Sequence, residues 1–202
     1  MANAVNAAPN QPTNMKKCNL PKLDLAVSTD DLRPRLQHIM FDGVCAWATD
    51  AHCFCRWQLQ DMINPELSQG KFMHGRQWKT LRSLPGPYEV DLIGIWCFDR
   101  RVLVSWSEID GEYPNIKAAV SGNSVAMDYA CVVPKYLTKC GQIFGTSDLN
   151  WQIGYTGKLI TIMPSFSSSE PSWVFACTKI ATSSHLEFPW WDQNYIVTNF
   201  KP

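Results

Sequence analysis

The sequence predicts an α+β fold in which short helices pack on antiparallel sheets. The composition is that of a packed globular protein, since 46% of the 202 residues are hydrophobic and 18% are charged. Short segments rich in β-branched and aromatic residues, separated by Gly, Pro and Asp, indicate strands. A short helix followed by two or three such strands occurs three times, starting near residues 31, 72 and 133.

The first helix is predicted from the spacing of its apolar residues. One helical face would carry Leu32, Leu36, Ile39 and Met40. The polar residues at 28–30 supply N-cap oxygens, and Pro34 falls in or near the first turn, where proline is tolerated. We therefore predict a helix over residues 31–40, a turn at 42–43, one or two strands over 44–57 and a loop over 64–70.

The second and third helices are followed by strands in the same way. The run Pro85-Gly86-Pro87 ends the second helix sharply, and Pro134 suits the entry to the third. The predicted elements are a helix over 72–84, strands over 89–98 and 101–109, a strand over 126–132, a helix over 133–144, and strands over 151–155, 158–164 and 173–180. The run DGEYP at 110–114 predicts a boundary between two modules.

All three predicted helices are basic along one face. The cations on the three helices are, in chain order, Arg33, Arg35 and His38; His74, Arg76, Lys79 and Arg82; and Lys135 and Lys139. Steps of three or four residues place each set on one side. A single basic face is commonly no more than a solvated surface. Three basic helices in a chain of zero formal net charge favour a shared anionic partner, and the DNA backbone is the natural candidate.

Asp50 and His52, with Cys53 or Cys55 as an adjacent nucleophile, raise the alternative of a Cys-His hydrolase. Against it, a strand would place Cys53 on the opposite face from His52. The neighbouring Cys55 adds a hint of zinc, but no second pair occurs at ligand spacing, so we predict no metal and no cofactor. We expect instead a structural motif in which Thr49 and Asp50 bind backbone N–H groups, with His52 as their partner.

The termini and the cysteines bear on location. No apolar run approaches the roughly 20 residues of a membrane span, and the N-terminus lacks the pattern of a secretory signal. We therefore expect a cytoplasmic protein without a membrane partner, in which the eight cysteines are free buried thiols. Residues 1–19 have the composition of a flexible arm. The aromatic tail at 183–202 is expected to pack back on the sheet. The alternative is that it occupies a pocket of its own chain or of a neighbour, or forms a protein-binding patch.

Five runs, in this order, resemble the bacterial DNA polymerase III beta subunit, the sliding clamp. DLRPRLQHIMFDGVCAWATDAHCFCRWQL, from residue 31, is similar to the clamp's helix, strand, Ala-Thr-Asp-Gly-His motif and second strand, with Ala51 where the family usually has Gly. KFMHGRQWKTLRSL resembles its next helix. SEIDGEYPNI resembles its inter-domain stretch through Asp110, Gly111, Tyr113 and Pro114. VVPKYLTKCGQIF and SWVFACTKI resemble a helix and the closing strand of a later domain.

The resemblance implies a DNA-clamp-like fold and a non-enzymatic processivity or tethering role in DNA replication. Helices would line a hole and hold double-stranded DNA through weak backbone contacts. A DNA polymerase or another replication protein, and further copies of the chain, are the implied partners. A clamp has three domains of two halves each. This chain has room for about one and a half domains, a clamp-like domain at 20–116 and an abbreviated module at 117–182. The alternative is a module that keeps the fold and binds a polymerase or host clamp without DNA.

Overall fold

The computed structural model describes residues 19–97, 100–116, 134–145, 151–156, 159–164 and 172–178, with only the backbone for 151–156 and 178. The predicted strand at 126–132, the N-terminal arm up to residue 18 and the aromatic tail at 183–202 lie outside these residues.

The described strands form two antiparallel sheets. In chain order they are β1 (His38–Phe41), β2 (Cys45–Thr49), β3 (Cys53–Gln58), β4 (Phe72–His74), β5 (Tyr88–Asp91), β6 (Gly94–Cys97), β7 (Val102–Ser105), β8 (Trp151–Thr156), β9 (Leu159–Pro164) and β10 (Trp173–Thr178). The larger sheet has the order β4-β1-β2-β3-β10-β9-β8, and the smaller has the order β5-β6-β7. The helices are α1 (Gly75–Leu81) and α2 (Pro134–Phe144), with 3-10 turns at Leu23–Leu25, Pro34–Gln37 and Pro65–Ser68.

The larger sheet joins the early and late parts of the chain. Its centre is the pair β3–β10, in which Cys53 lies opposite Cys177 and Trp57 opposite Trp173. Strands that precede the DGEYP run in the chain therefore share one sheet with strands that follow it. The α+β class, with short helices on antiparallel sheets, is confirmed.

The two faces of the larger sheet bury different clusters, because side chains alternate along each strand. The main core contains Phe41, Cys55, Trp57 and Phe175 from the sheet, packed with residues of both helices. The opposite face carries a smaller cluster, which consists of Cys45, Trp47, Phe54, Ala176 and Ile116. Among the described residues, the larger cluster is thus on the helix side of the sheet.

The predicted helix over 31–40 is wrong. Residues 34–37 form a 3-10 turn and 38–41 form strand β1. Pro34 disfavours helical backbone at the residue before it, and Arg33 has φ −126° and ψ 58°. Leu32, which was assigned to a buried helical face, is 91% exposed. The buried residues Ile39 and Phe41 follow the period of a strand instead.

The predicted boundaries also shift around the second helix. Residues 72–74 pair with β1 as strand β4, so α1 begins only at Gly75 and ends at Leu81. The predicted strand over 89–98 is two strands, because Leu92 and Ile93 turn the chain between β5 and β6. The third helix and the strands near 44–57, 101–109, 151–155, 158–164 and 173–180 are confirmed within a few residues.

Two further findings bear on the expectations from composition. The six cysteines among the described residues are all free and buried, as expected. Within the described part of the chain, no helix has both the length and the apolar character needed to cross a membrane.

Candidate nucleic-acid interface

Both helices cover the same face of the larger sheet. Trp57 and Trp173 lie directly opposite each other on neighbouring strands, so their side chains share one face. The ring of Trp78 in α1 lies against that of Trp57, with centroids 6.0 Å apart. The ring of Phe144 in α2 stacks on that of Trp173 at 4.3 Å. A ligand that approached from this side would therefore meet both helices.

Residues 21–25 fill the space between the helices. The indole Nε1 of Trp78 donates a hydrogen bond of 2.8 Å to the carbonyl of Pro21. The next residue, Lys22, donates its backbone N–H to the carbonyl of Ile143 in α2 at 2.9 Å, and so satisfies an acceptor at that helix end. Leu23 is fully buried. We refer to α1, α2 and residues 21–25 as the helix layer.

The outer side of α1 presents two cations. His74 caps the helix, because its Nδ1 accepts a hydrogen bond from the backbone N–H of Arg76. Trp78 is buried against the sheet, whereas Arg76 and Lys79 are exposed and one helical turn apart. A third predicted cation, Arg82, makes a two-pronged ion pair with Asp24, at 2.8 and 3.2 Å. Arg82 therefore ties α1 to the 3-10 turn, and Asp24 compensates its charge.

The outer side of α2 presents one cation. Tyr136, Cys140 and Ile143 are buried, and Lys135 is exposed. Lys139 points instead to the β2–β3 turn, where its Nζ donates a hydrogen bond of 2.6 Å to Asp50 Oδ2. Neither helix contains an acidic residue.

The β2–β3 turn is organised by Thr49 and Asp50. The Thr49 hydroxyl donates to the carbonyl of Cys53 at 2.8 Å and accepts from the N–H of Ala51 at 3.1 Å. Asp50 Oδ1 accepts from the N–H groups of His52 and Cys53 at 2.9 and 2.8 Å. The predicted bonds from Thr49 and Asp50 to the backbone are thus present. His52 takes part through its backbone N–H.

The ion pair between Asp50 and Lys139 is electrostatically favoured on both sides. Burial alone would raise the pKa of the Asp50 carboxyl, but hydrogen bonds from Lys139 and the turn N–H groups lower it below its ordinary value of 3.8. Burial alone would lower the pKa of Lys139, but the hydrogen bond to Asp50 raises it. Both shifts stabilise the charged forms. The pair therefore links the early turn to α2.

The three cations of the wrongly predicted first helix do not share a helical face. Arg33 lies 3.5 Å from the Asp30 carboxylate. Arg35 donates to the carbonyl of Glu112 at 3.4 Å, and its guanidinium fills the space where a Cβ of Gly111 would lie. His38 Nδ1 is 2.9 Å from the carbonyl of Pro34.

The DGEYP run packs beside these residues. The Tyr113 hydroxyl donates to the backbone carbonyl of His38 at 3.0 Å, and its ring lies 5.7 Å from that of Phe72. Gly111 has φ +76°, in the region that favours glycine. The run that we interpreted as a module boundary is therefore fixed to the edge of the larger sheet.

A pocket of about 360 Å³ lies beside the β2–β3 turn, and its walls include Asp30, Arg33, Asp50, His52 and Lys139. The Cys53 thiol is buried, and burial raises its pKa to about 12, which opposes formation of a nucleophilic thiolate. The carboxylate of Asp50 binds Lys139 and backbone N–H groups. This geometry disfavours the Cys-His hydrolase alternative. Among the described residues, no three His, Cys, Asp or Glu side chains are placed to hold a metal ion.

One further cation, Lys22, is not marked by any pattern in the sequence. It is exposed and lies in the helix layer between α1 and α2. No helical period marks residues 21–25, so a search for basic helix faces passes over this position. The sequence offers one signal, a lysine between the apolar residues Pro21 and Leu23, both of which the structure shows to be buried.

No protein-family model matches the sequence, and no curated protein matches it either. The structure is similar to the DNA polymerase sliding clamp from Bacillus subtilis, with a TM-score of 0.55 and 13% identity over 88% of this chain and 67% of the clamp chain. A second similar structure is a DnaN sliding clamp (DNA polymerase III subunit beta) from Bartonella birtlesii bound to griselimycin. Its TM-score is 0.37 and its identity 16%, over 80% of this chain and 49% of that chain.

The likeness to the Bacillus subtilis clamp concerns the fold, since the identity is low. Coverage of part of the clamp chain fits the prediction of about one and a half clamp domains. This chain therefore has the fold of the bacterial DNA sliding clamps.

Proposed function

We propose that this chain is a non-enzymatic, clamp-like protein that associates with DNA and tethers a replication protein to it. The observation that carries the proposal is the composition of the helix layer. Arg76, Lys79 and Lys135 are exposed on two helices that lie on one face of the sheet. Neither helix contains an acidic residue. The layer is thus locally cationic in a chain whose formal net charge is zero.

A surface of this kind suits the phosphate backbone of double-stranded DNA. Lysine and arginine side chains on a helix surface contact phosphates without reading bases, so binding would be independent of sequence. A small number of such contacts gives weak, salt-dependent affinity, which is compatible with movement along the duplex. Arg82 and Lys139, which are paired with Asp24 and Asp50, would support the helices rather than contact phosphates. Arg33, Arg35 and His38 lie outside the helix layer and form a secondary set.

The proposal includes partners. The Bacillus subtilis structure is that of a DNA polymerase sliding clamp, so a DNA polymerase or another replication protein is the proposed partner of this chain. About one and a half clamp domains do not close a ring by themselves, so we propose that enclosure of DNA requires several copies to associate. Retention on closed circular DNA that is lost on linearisation would support enclosure, whereas equal retention on both forms would support open, non-encircling binding.

The DNA contact is tested by fluorescence anisotropy with a labelled duplex of arbitrary sequence. We expect Arg76→Gln/Lys79→Gln to weaken binding by at least about tenfold at 50 mM salt, because two phosphate contacts are lost. The matched control is Gln60→Glu/Gln69→Glu, which changes the net charge equally at two exposed positions between β3 and β4. Equal weakening by both variants would mean that net charge alone matters. Absence of binding by the unaltered chain would overturn the DNA role and favour the protein-interaction alternative.

A further inference from the structure

We infer that Lys22 is a phosphate-binding residue at the centre of the helix layer, placed so that one DNA backbone crossing from α1 to α2 passes over it. The inference rests on the proposed function, because it names a further contact of the same surface. It differs from the basic-helix prediction in that Lys22 belongs to neither helix.

The backbone around Lys22 is held from both sides. The preceding residue, Pro21, accepts the indole N–H of Trp78 in α1 at 2.8 Å. The N–H of Lys22 donates to the carbonyl of Ile143 in α2 at 2.9 Å. Its carbonyl accepts from the N–H of Leu25 at 2.9 Å. Three hydrogen bonds thus fix the α-carbon of Lys22 between the two helices.

The side chain of Lys22 points outward. Pro21 and Leu23 on either side of it are buried, whereas Lys22 is exposed. The nearest acid along the chain is Asp24, whose carboxylate is bound by Arg82 and is 8% exposed. The charge of Asp24 is therefore compensated by Arg82 rather than by Lys22. Because the backbone of Lys22 is already fixed, only its side chain has to be ordered when a phosphate binds.

The approach of this segment to α1 depends on a glycine. A Cβ at Gly75 would lie 2.7 Å from the Val27 side chain and 3.8 Å from the Asp24 α-carbon. Glycine at the first position of α1 therefore lets residues 24–27 pack against the helix end. This packing keeps the preceding Lys22 in the same layer as Arg76 and Lys79.

The test is the salt dependence of duplex binding by Lys22→Gln in the full chain. Each phosphate contact contributes about 0.9 to the slope of log affinity against log salt concentration. We expect the slope to fall by about 0.9, which is a loss of about three- to fourfold more affinity at 50 mM than at 200 mM salt. Lys22→Arg should keep the slope. Gln69→Glu, with the same change in net charge, should leave it nearly unchanged.

The outcomes separate this inference from the proposed function. An unchanged slope for Lys22→Gln, together with a reduced slope for Arg76→Gln/Lys79→Gln, would overturn the role of Lys22 and leave the DNA role intact. No binding by the unaltered chain would overturn both. A urea midpoint for Lys22→Gln equal to that of the unaltered chain is expected, because the side chain is exposed, and confirms that any loss of binding is local.

Discussion

The ion pair between Asp50 and Lys139 gives a sharp prediction, because its two partners have different numbers of other bonds. Asp50 accepts from two backbone N–H groups of the β2–β3 turn and from Lys139. Removal of the carboxylate in Asp50→Ala leaves all three donors without their acceptor. Removal of the ammonium in Lys139→Met leaves the carboxylate bound by the turn. The carboxylate variant should therefore be the more damaging one.

The magnitudes follow from burial. The side chains of Lys139 and Asp50 are 22% and 19% exposed, so the pair lies between a surface pair, at about 0–1 kcal/mol, and a buried one, at about 3–5 kcal/mol. We expect Lys139→Met to cost about 1–2 kcal/mol. Two hydrogen bonds to a charged acceptor add about 1.5 kcal/mol each, so Asp50→Ala should cost about 4–5 kcal/mol. Asp50→Asn, which keeps an acceptor for the turn, should fall between them.

The assay is urea unfolding followed by tryptophan fluorescence. With a denaturant dependence of about 1–3 kcal/mol per molar urea, Asp50→Ala should lower the midpoint by at least about 1 M. The double variant should cost less than the sum of the single variants, because both remove the same ion pair. If Lys139→Met destabilises the chain as much as Asp50→Ala does, the assignment of Asp50 as the acceptor that organises the turn is refuted.

Two further predictions concern backbone and pH. Ala51 has φ +74°, so Ala51→Gly should raise the free energy of unfolding by about 0.5–1 kcal/mol in the same urea assay; a loss of stability would contradict this. Burial, His38 and Arg76 lower the pKa of His74 from its ordinary value of 6.5. The unfolded chain then binds the proton first, so stability should fall as pH drops below about 6.5. His74→Asn, a cap that does not titrate, should reduce this dependence; an unchanged pH profile would show that His74 does not cause it.

The local part of the fold could be predicted from the sequence. The helix starting at Pro134 was predictable because proline suits a helix entry and the buried residues Tyr136, Cys140 and Ile143 repeat at helical spacing. The strands near residues 44–57 were predictable from their composition. The segment around Pro34 was misread because Leu32, Leu36 and Ile39 fit a helical spacing by coincidence. Which of these residues are buried decides between a helix and a strand. That choice depends on the rest of the fold.

The long-range part of the site could not be predicted. The pairing of β3 with β10 leaves no mark on either segment alone, yet it brings both helices to one face. The partners of Arg82 and Lys139 lie 58 and 89 residues away along the chain. A basic residue in a helix therefore could not be assigned to a ligand or to an internal ion pair from its spacing. Exposure in the folded chain separates Arg76, Lys79 and Lys135 from the ion-paired Arg82 and Lys139.

The central claim is that the helix layer faces the DNA, and photocrosslinking tests it most directly. The photoreactive residue benzoylphenylalanine would replace Thr80 on α1, Thr138 on α2 or, as a control, Val44 in the β1–β2 turn, all of which are exposed. We predict crosslinks to a duplex from positions 80 and 138, and none above background from position 44. Crosslinking from position 44 with none from the two helix positions would contradict the account.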